Sequence, residues 1–128
     1  MKLDHIFLQP VDMERMKDLF INILGLELCD RPPFDFPGYW LGNENIPLFH
    51  LAPGGKQGNT TGVIGHIAVS IEDEESLFST LDRENVLYQV TWLPGKPVKQ
   101  VFFRGPEGLT VEAVIYNCEE KIQFSNRC

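Results

Sequence analysis

The chain of 128 residues has three histidines, His5, His50 and His66, and all three stand in apolar surroundings: "LDHIFL", "IPLFHLA" and "GHIAVSI". Glu112 interrupts "LTVEAVI" in the same way. Imidazole nitrogens and a carboxylate oxygen, with no thiolate among them, are a donor set for one divalent cation of the Fe, Zn, Ni, Co or Mn kind. A single histidine in an apolar strand is ordinarily a packed residue whose ring nitrogens meet backbone partners. Four such interruptions that share one strand face call for a different explanation.

Strand parity supplies that shared face, because side chains alternate across a strand. In 63–71 the residues Ile67, Val69 and Ile71 suit packing under a helix, and His66 falls on the other face with Ala68 and Ser70. In 109–116 Glu112 opposes Leu109, Val111, Ala113 and Ile115. His50 opposes Phe49 and Leu51, and His5 opposes Ile6 and Leu8. Burying an unpaired imidazole or carboxyl group is costly, and a bound cation offsets that cost. His5, His50, His66 and Glu112 are therefore the candidate metal ligands. Glu112 is the one carboxylate in the set. For His50 two readings stand: a fourth ligand, or an outer-shell residue or substrate-facing base.

The elements that carry these residues are written twice. Sliding the chain by 61 residues lays "DHIFLQPVDMERM" over "GHIAVSIEDEESL", so that His5 meets His66, Asp12 meets Asp73 and Met16 meets Leu77. With one further residue of offset, Trp40 meets Phe102 and His50 meets Glu112. Internal repetition of this kind points to a duplicated supersecondary unit. Each copy opens with an apolar strand of about seven residues holding the histidine. Asp12 and Asp73 are predicted helix N-caps with acidic residues behind them. Met13, Met16, Phe20 and Ile23 in one copy, and Leu77, Phe78 and Leu81 in the other, recur at helical spacing. Gly25 and Asn85 are the expected stops. Strands are predicted over 26–31, 38–42 and 46–52, then over 86–92, 97–104 and 109–116. The expected fold is α+β: two tandem βαβββ modules, 1–55 and 63–116, joined by a Gly-rich polar connector at 53–62, forming one domain with a tail at 117–128.

Trp40 and Phe102, with Gly38 and Gln100 at matching positions, alternate so as to face the same side as the candidate ligands. Gln100 is the polar exception in "VKQVFF" and is either a hydrogen-bonding substrate contact or a solvated edge residue. "RPPFDFPGYW" is a proline-braced loop whose Phe34 and Phe36 either cover a binding site or pack back on the domain. Lys96, Lys99 and Arg104 make a locally basic stretch, readable as a lure for an anionic substrate or as a solvated face.

A net charge of −7 argues against a nucleic-acid surface, and 43% hydrophobic residues support one ordinary core. Cys29, Cys118 and Cys128 are odd in number and form no C-x-x-C pair, which suggests free thiols in a reducing compartment. The N-terminal residues have no apolar signal core, and no run approaches membrane-span length, so the expected location is the cytoplasm.

Taken together, "LDHIFL", "LFINILGLEL", "GHIAV" and "GPEGLTVE" resemble the vicinal oxygen chelate superfamily of glyoxalases, bleomycin resistance proteins and extradiol dioxygenases. The resemblance covers about residues 1–116, and Pro106, Gly108 and Glu112 fit the family's Pro-x-Gly turn followed by a ligand glutamate. It implies a cupped mixed sheet around one divalent metal, with His5, His50, His66 and Glu112 in the ligand places. It also implies a small-molecule substrate with neighbouring oxygens, bound near Phe34, Trp40, Gln100 and Phe102, and lyase or isomerase chemistry through an enediolate, with Glu112 as the catalytic group that accepts the carbon-bound proton. Two alternatives remain open: an Fe(II) dioxygenase using His5, His66 and Glu112, or a non-catalytic binding or resistance protein. His50 departs from the Glu or Gln common in the isomerases, so a paired-glutamate proton shuttle is unavailable. Phe7 stands where fosfomycin enzymes carry a polar residue, and their potassium-binding loop is missing. Relatives of this type, and the prevalence of two-fold assemblies, imply a homodimer.

Overall fold

Two aspartates start the two helices. Asp12 accepts a hydrogen bond from the Arg15 backbone N–H (3.0 Å), and Asp73 accepts one from Ser76 N–H (3.0 Å), each satisfying a donor that the first helical turn leaves free. In the computed structural model, which describes residues 2–56, 58, 61–62 and 64–116, these helices belong to separate compact units, residues 1–59 and 60–128.

The first unit contains β1 (Ile6–Leu8), α1 (Met13–Asp18) continuing into a π-helical turn (Leu19–Ile23), β2 (Glu27–Leu28), β3 (Tyr39–Asn43) and β4 (Ile46–Leu51). Its sheet runs β1-β4-β3-β2, with β1 parallel to β4 and the other pairs antiparallel. The second unit repeats this plan. β5 (Ile67–Ser70), α2 (Glu74–Arg83), β6 (Tyr88–Trp92), β7 (Lys99–Arg104) and β8 (Thr110–Ile115) form a sheet of order β5-β8-β7-β6, with β5 parallel to β8. Each unit is thus a βαβββ module, and the architecture is α+β. The tail at 117–128 lies outside the described residues.

In each unit one strand face meets the helix. Phe20 stacks on Phe49 (4.3 Å between ring centroids), and Phe78 meets Tyr88 at 5.1 Å. Met16, Leu19, Phe20, Leu41, Phe49 and Leu51 are buried in the first unit, and Leu77, Phe78, Leu81, Val101, Phe103, Val111 and Ala113 in the second. Gly25 (φ 74°) and Asn85 (φ 56°) end the helical segments in the left-handed region, as expected from sequence. Gly42 allows the bulge in β3, since a Cβ there would stand 1.7 Å from the Ile46 carbonyl oxygen.

Three features depart from the sequence expectation. The first helix is not regular throughout: Leu24 N–H bonds to the Leu19 carbonyl five residues back (3.1 Å), and the widened turn keeps the adjacent Leu19 and Phe20 both buried. His5 and His66 do not lie within strands but directly before them. The β1–β4 ladder opens at Ile6↔Phe49, two residues beyond Pro47, which has no N–H to offer; the β5–β8 ladder opens at Ile67↔Val111, where β8 itself has just begun. Finally, Lys99 is neither solvated nor open to a substrate. It is completely buried on the helix-facing side of β7, where its Nζ donates to Glu74 Oε2 (3.2 Å) and stands near the Trp92 and Phe78 rings.

Candidate metal centre

Within each unit the structure brings together two of the four candidate ligands. In the second unit Ala68, Glu112 and Phe102 are register partners across three adjacent strands, so Glu112 and Phe102 project from the face away from α2. His66, just before β5, reaches the same place: its Nε2 lies 3.3 Å from Glu112 Oε1. Glu112 is buried and His66 is about half exposed, so the pair is closed on the protein side and reachable on the other. Phe102 meets the His66 ring edge to face (5.9 Å).

The separation of these two donors bears directly on metal binding. Ligand bonds of about 2.0–2.1 Å put neighbouring donor atoms about 2.8–3.0 Å apart at octahedral angles and about 3.3–3.4 Å apart at tetrahedral ones. His66 Nε2 and Glu112 Oε1 already stand at such a distance, so their donor types and spacing fit a shared cation. The other carboxylate oxygen is held from behind. Gln100 Nε2 donates to Glu112 Oε2 (3.5 Å), and the Thr91 hydroxyl donates to Gln100 Oε1 (3.2 Å), which fixes the amide orientation. Gln100, which the sequence offers as a substrate contact or a solvated edge residue, is half-buried beside Glu112. Thr91 gave no sequence signal of its own; only its pairing with Gln100 across β6 and β7 reveals it.

The first unit is built differently. Phe7↔His50 and Trp40↔His50 are register partners, which places Trp40 and His50 side by side on the face away from α1. The Trp40 and His50 rings stack at 4.0 Å, and the His5 ring lies on the opposite side of His50 at 3.9 Å, each within 10° of parallel. His5 Nδ1 is held by Asp4 Oδ1 at 2.6 Å, and this bond keeps the Asp4 carboxyl below its usual range. His50 is more enclosed: Nε2 is buried without a hydrogen-bond partner. Burial, with the neighbouring His5 as a lesser cause, holds its imidazole below the ordinary histidine value, which favours the neutral form. Asp4 is the residue that sequence reading missed, although a carboxylate is a common orienting partner for a histidine and this one directly precedes a candidate ligand.

The loop before β3 folds onto itself and onto this stack. Arg31 donates to the Phe36 carbonyl (2.9 Å) and lies over both the Phe34 and Phe36 rings at 5.0 Å. Phe34 and Phe36 stack at 5.1 Å, and Phe34 meets Trp40 at 6.2 Å. Phe34 and Trp40 thus belong to one row of rings that continues through His50 to His5. Among the described residues, no group of three or more His, Cys, Asp or Glu side chains is gathered closely enough to hold a metal ion. None of the described helices is long and apolar enough to cross a membrane.

The same arrangement of strands is found in proteins of known structure. The chain resembles the fosfomycin resistance protein FosX from Listeria monocytogenes (16% identity, TM-score 0.67, 90% of this chain and 93% of that one). It also resembles a glyoxalase family protein from Bacillus anthracis (14% identity, TM-score 0.70, 91% and 96%). A third likeness is to TnmS3, an antibiotic binding protein from Streptomyces sp. CB03234 (14% identity, TM-score 0.69, 91% and 97%). At these identities the likeness speaks for the fold. No curated protein matches the chain. Residues 2–113 match the family described as the Glyoxalase/Bleomycin resistance protein/Dioxygenase superfamily, and the duplicated βαβββ module carries that assignment into three dimensions. The chain belongs to this superfamily.

Proposed function

We propose that this protein is a divalent-metal-dependent enzyme of the glyoxalase type, acting on a small molecule with neighbouring oxygens. The observation that carries the reading is the 3.3 Å approach of His66 Nε2 to Glu112 Oε1 at a spacing that suits two ligands of one cation. His66, Glu112 and His5 are the proposed ligands, with Asp4 orienting His5 as carboxylates orient metal-bound histidines. The cation, when bound, supplies Lewis-acid stabilisation of negative charge developing on the substrate oxygens. The rest falls to the side chains. Glu112 takes a carbon-bound proton on a carboxylate oxygen and returns it to the neighbouring carbon, as an isomerase or lyase of this type requires. Gln100 and Thr91 keep that carboxylate in place, and Phe102, Trp40 and Phe34 offer ring surfaces for the substrate body. The protein is proposed to work as a homodimer in the cytoplasm, and light scattering at micromolar concentration tests the first half of that statement.

Two other readings have support. Two histidines and a carboxylate also suit Fe(II), and oxygen consumption with catechols would identify a dioxygenase. The likeness to an antibiotic binding protein and the row of rings at Phe34, Trp40 and His50 favour small-molecule binding without turnover. One series of variants tests the main reading. Glu112→Ala and His66→Ala are each expected to weaken zinc or cobalt(II) binding by at least about 100-fold, since each removes one of a few ligands. Glu112→Gln, which coordinates through oxygen but accepts no proton, is expected to keep much of the metal and to lose substrate-dependent proton exchange with deuterated solvent. Full metal occupancy in Glu112→Ala would overturn the reading.

A further inference from the structure

The chain presents three histidines for one cation, and the geometry of the first unit assigns two of them different tasks. An imidazole nitrogen holds its lone pair in the ring plane, so a bound cation lies in that plane as well. His5 and His50 are stacked within 10° of parallel, with 3.9 Å between centroids. Two such planes share no point near both rings, so one cation cannot receive in-plane lone pairs from both. One ring is a ligand and the other holds it. The surroundings decide which. His5 has Nδ1 tied to Asp4 (2.6 Å), is 39% exposed, and has Nε2 left for coordination. His50 is clamped between His5 and Trp40, with Nε2 sealed from access.

We infer that His50 is a positioning residue, not a fourth ligand: together with Trp40 it forms a flat backing that holds the His5 ring edge-on to the cation. This rests on the metal-dependent reading above and specifies how the first unit serves it. The register pairs Phe7↔His50 and Trp40↔His50 fix the backing to three adjacent strands, while His5 lies just outside the ladder. A ligand placed where the ladder has ended gains orientation from ring contact that its backbone does not provide. A phenyl ring in place of His50 would fill the same slot, keep the stack, and remove a buried nitrogen that has no partner.

Zinc affinity, measured by competition with a chromophoric chelator, separates stacking from ligation. His5→Ala is expected to lose at least about 100-fold as a ligand; His50→Ala about 10-fold as a supporting residue; and His50→Phe no more than about 3-fold. Circular dichroism and thermal melting confirm that each variant is folded. On the wild-type protein, X-ray absorption of the zinc-loaded form is expected to show two imidazoles. Three imidazoles, or loss in His50→Phe equal to that in His5→Ala, would overturn the inference while leaving the metal-dependent reading intact. Equal binding by His50→Ala and the wild type would overturn it as well. Failure of the wild-type chain to bind zinc or cobalt(II) would instead remove the functional reading, and this inference with it.

Discussion

The two units have one topology and two chemistries. In the second, the paired site residues are an imidazole and a carboxylate set 3.3 Å apart, at ligand spacing, with Gln100 and Thr91 behind them. In the first they are two stacked imidazoles with an indole as the third layer. The helix-to-sheet contacts differ in the same way. Unit two buries an ion pair, Lys99 with Glu74, under the start of α2. Unit one makes its polar contact at the surface, where the Tyr39 hydroxyl donates to Glu14 and Lys17 pairs with the same carboxylate at 2.8 Å. Duplication has kept backbone hydrogen bonding and the apolar parity of each strand. Polar side chains at matching places have been free to diverge, because the sheet constrains where a side chain points and not what it is.

This contrast makes unequal demands on stability. Lys99→Met leaves the Glu74 carboxylate buried without its cation, and the expected loss is about 3–5 kcal/mol by denaturant unfolding. Replacing both partners by apolar residues, as in Lys99→Met with Glu74→Leu, is expected to restore most of it, since breaking a buried pair costs far more than removing it whole. A small effect of Lys99→Met alone would mean that water reaches the site, and the difference between the units would shrink.

A smaller difference concerns the Cys29 thiol. Burial, and secondarily the charges of Glu27 and Asp30, push it above the usual thiol range, so less thiolate is present near pH 8 than in an exposed cysteine. Alkylation localised by mass spectrometry is expected to proceed more slowly at Cys29 than at a model thiol, and to accelerate as the pH rises further. Rapid labelling at pH 8 would indicate that the first unit opens readily there.

The least effect is expected at the exposed contact. Tyr39→Phe and Glu14→Gln remove a hydrogen bond and a surface ion pair that solvent screens, and the melting temperature should stay within about two degrees of wild type. A drop comparable to that of Lys99→Met would erase the distinction between surface and buried polar contacts.

Much of this was legible along the chain, for identifiable reasons. Parity in "GHIAVSI" and "LTVEAVI" separates a helix-facing side from a polar one without reference to other segments, because alternation is a property of the strand itself. Asp12 and Asp73 announce helix starts because a cap acts over three residues. The repeat relating His5 to His66 places the modules, and the apolar runs around His50 and Glu112 mark them as exceptions. Contacts between distant residues were not legible. Lys99 reads as one more base in a charged stretch until β7 is seen to turn it beneath α2, against a glutamate 25 residues away. Gln100 reads either as a substrate contact or as a solvated edge residue, and its hydrogen bonds to Thr91 and Glu112 are visible only once the strands are paired. The stacking of His5, His50 and Trp40 depends on three strand registers at once. Local pattern is written in side-chain order, so the sequence by itself determined the modules, their faces and the candidate donors. Which of these side chains approach one another and which rings stack is set by long-range pairing, and only the tertiary structure decided it.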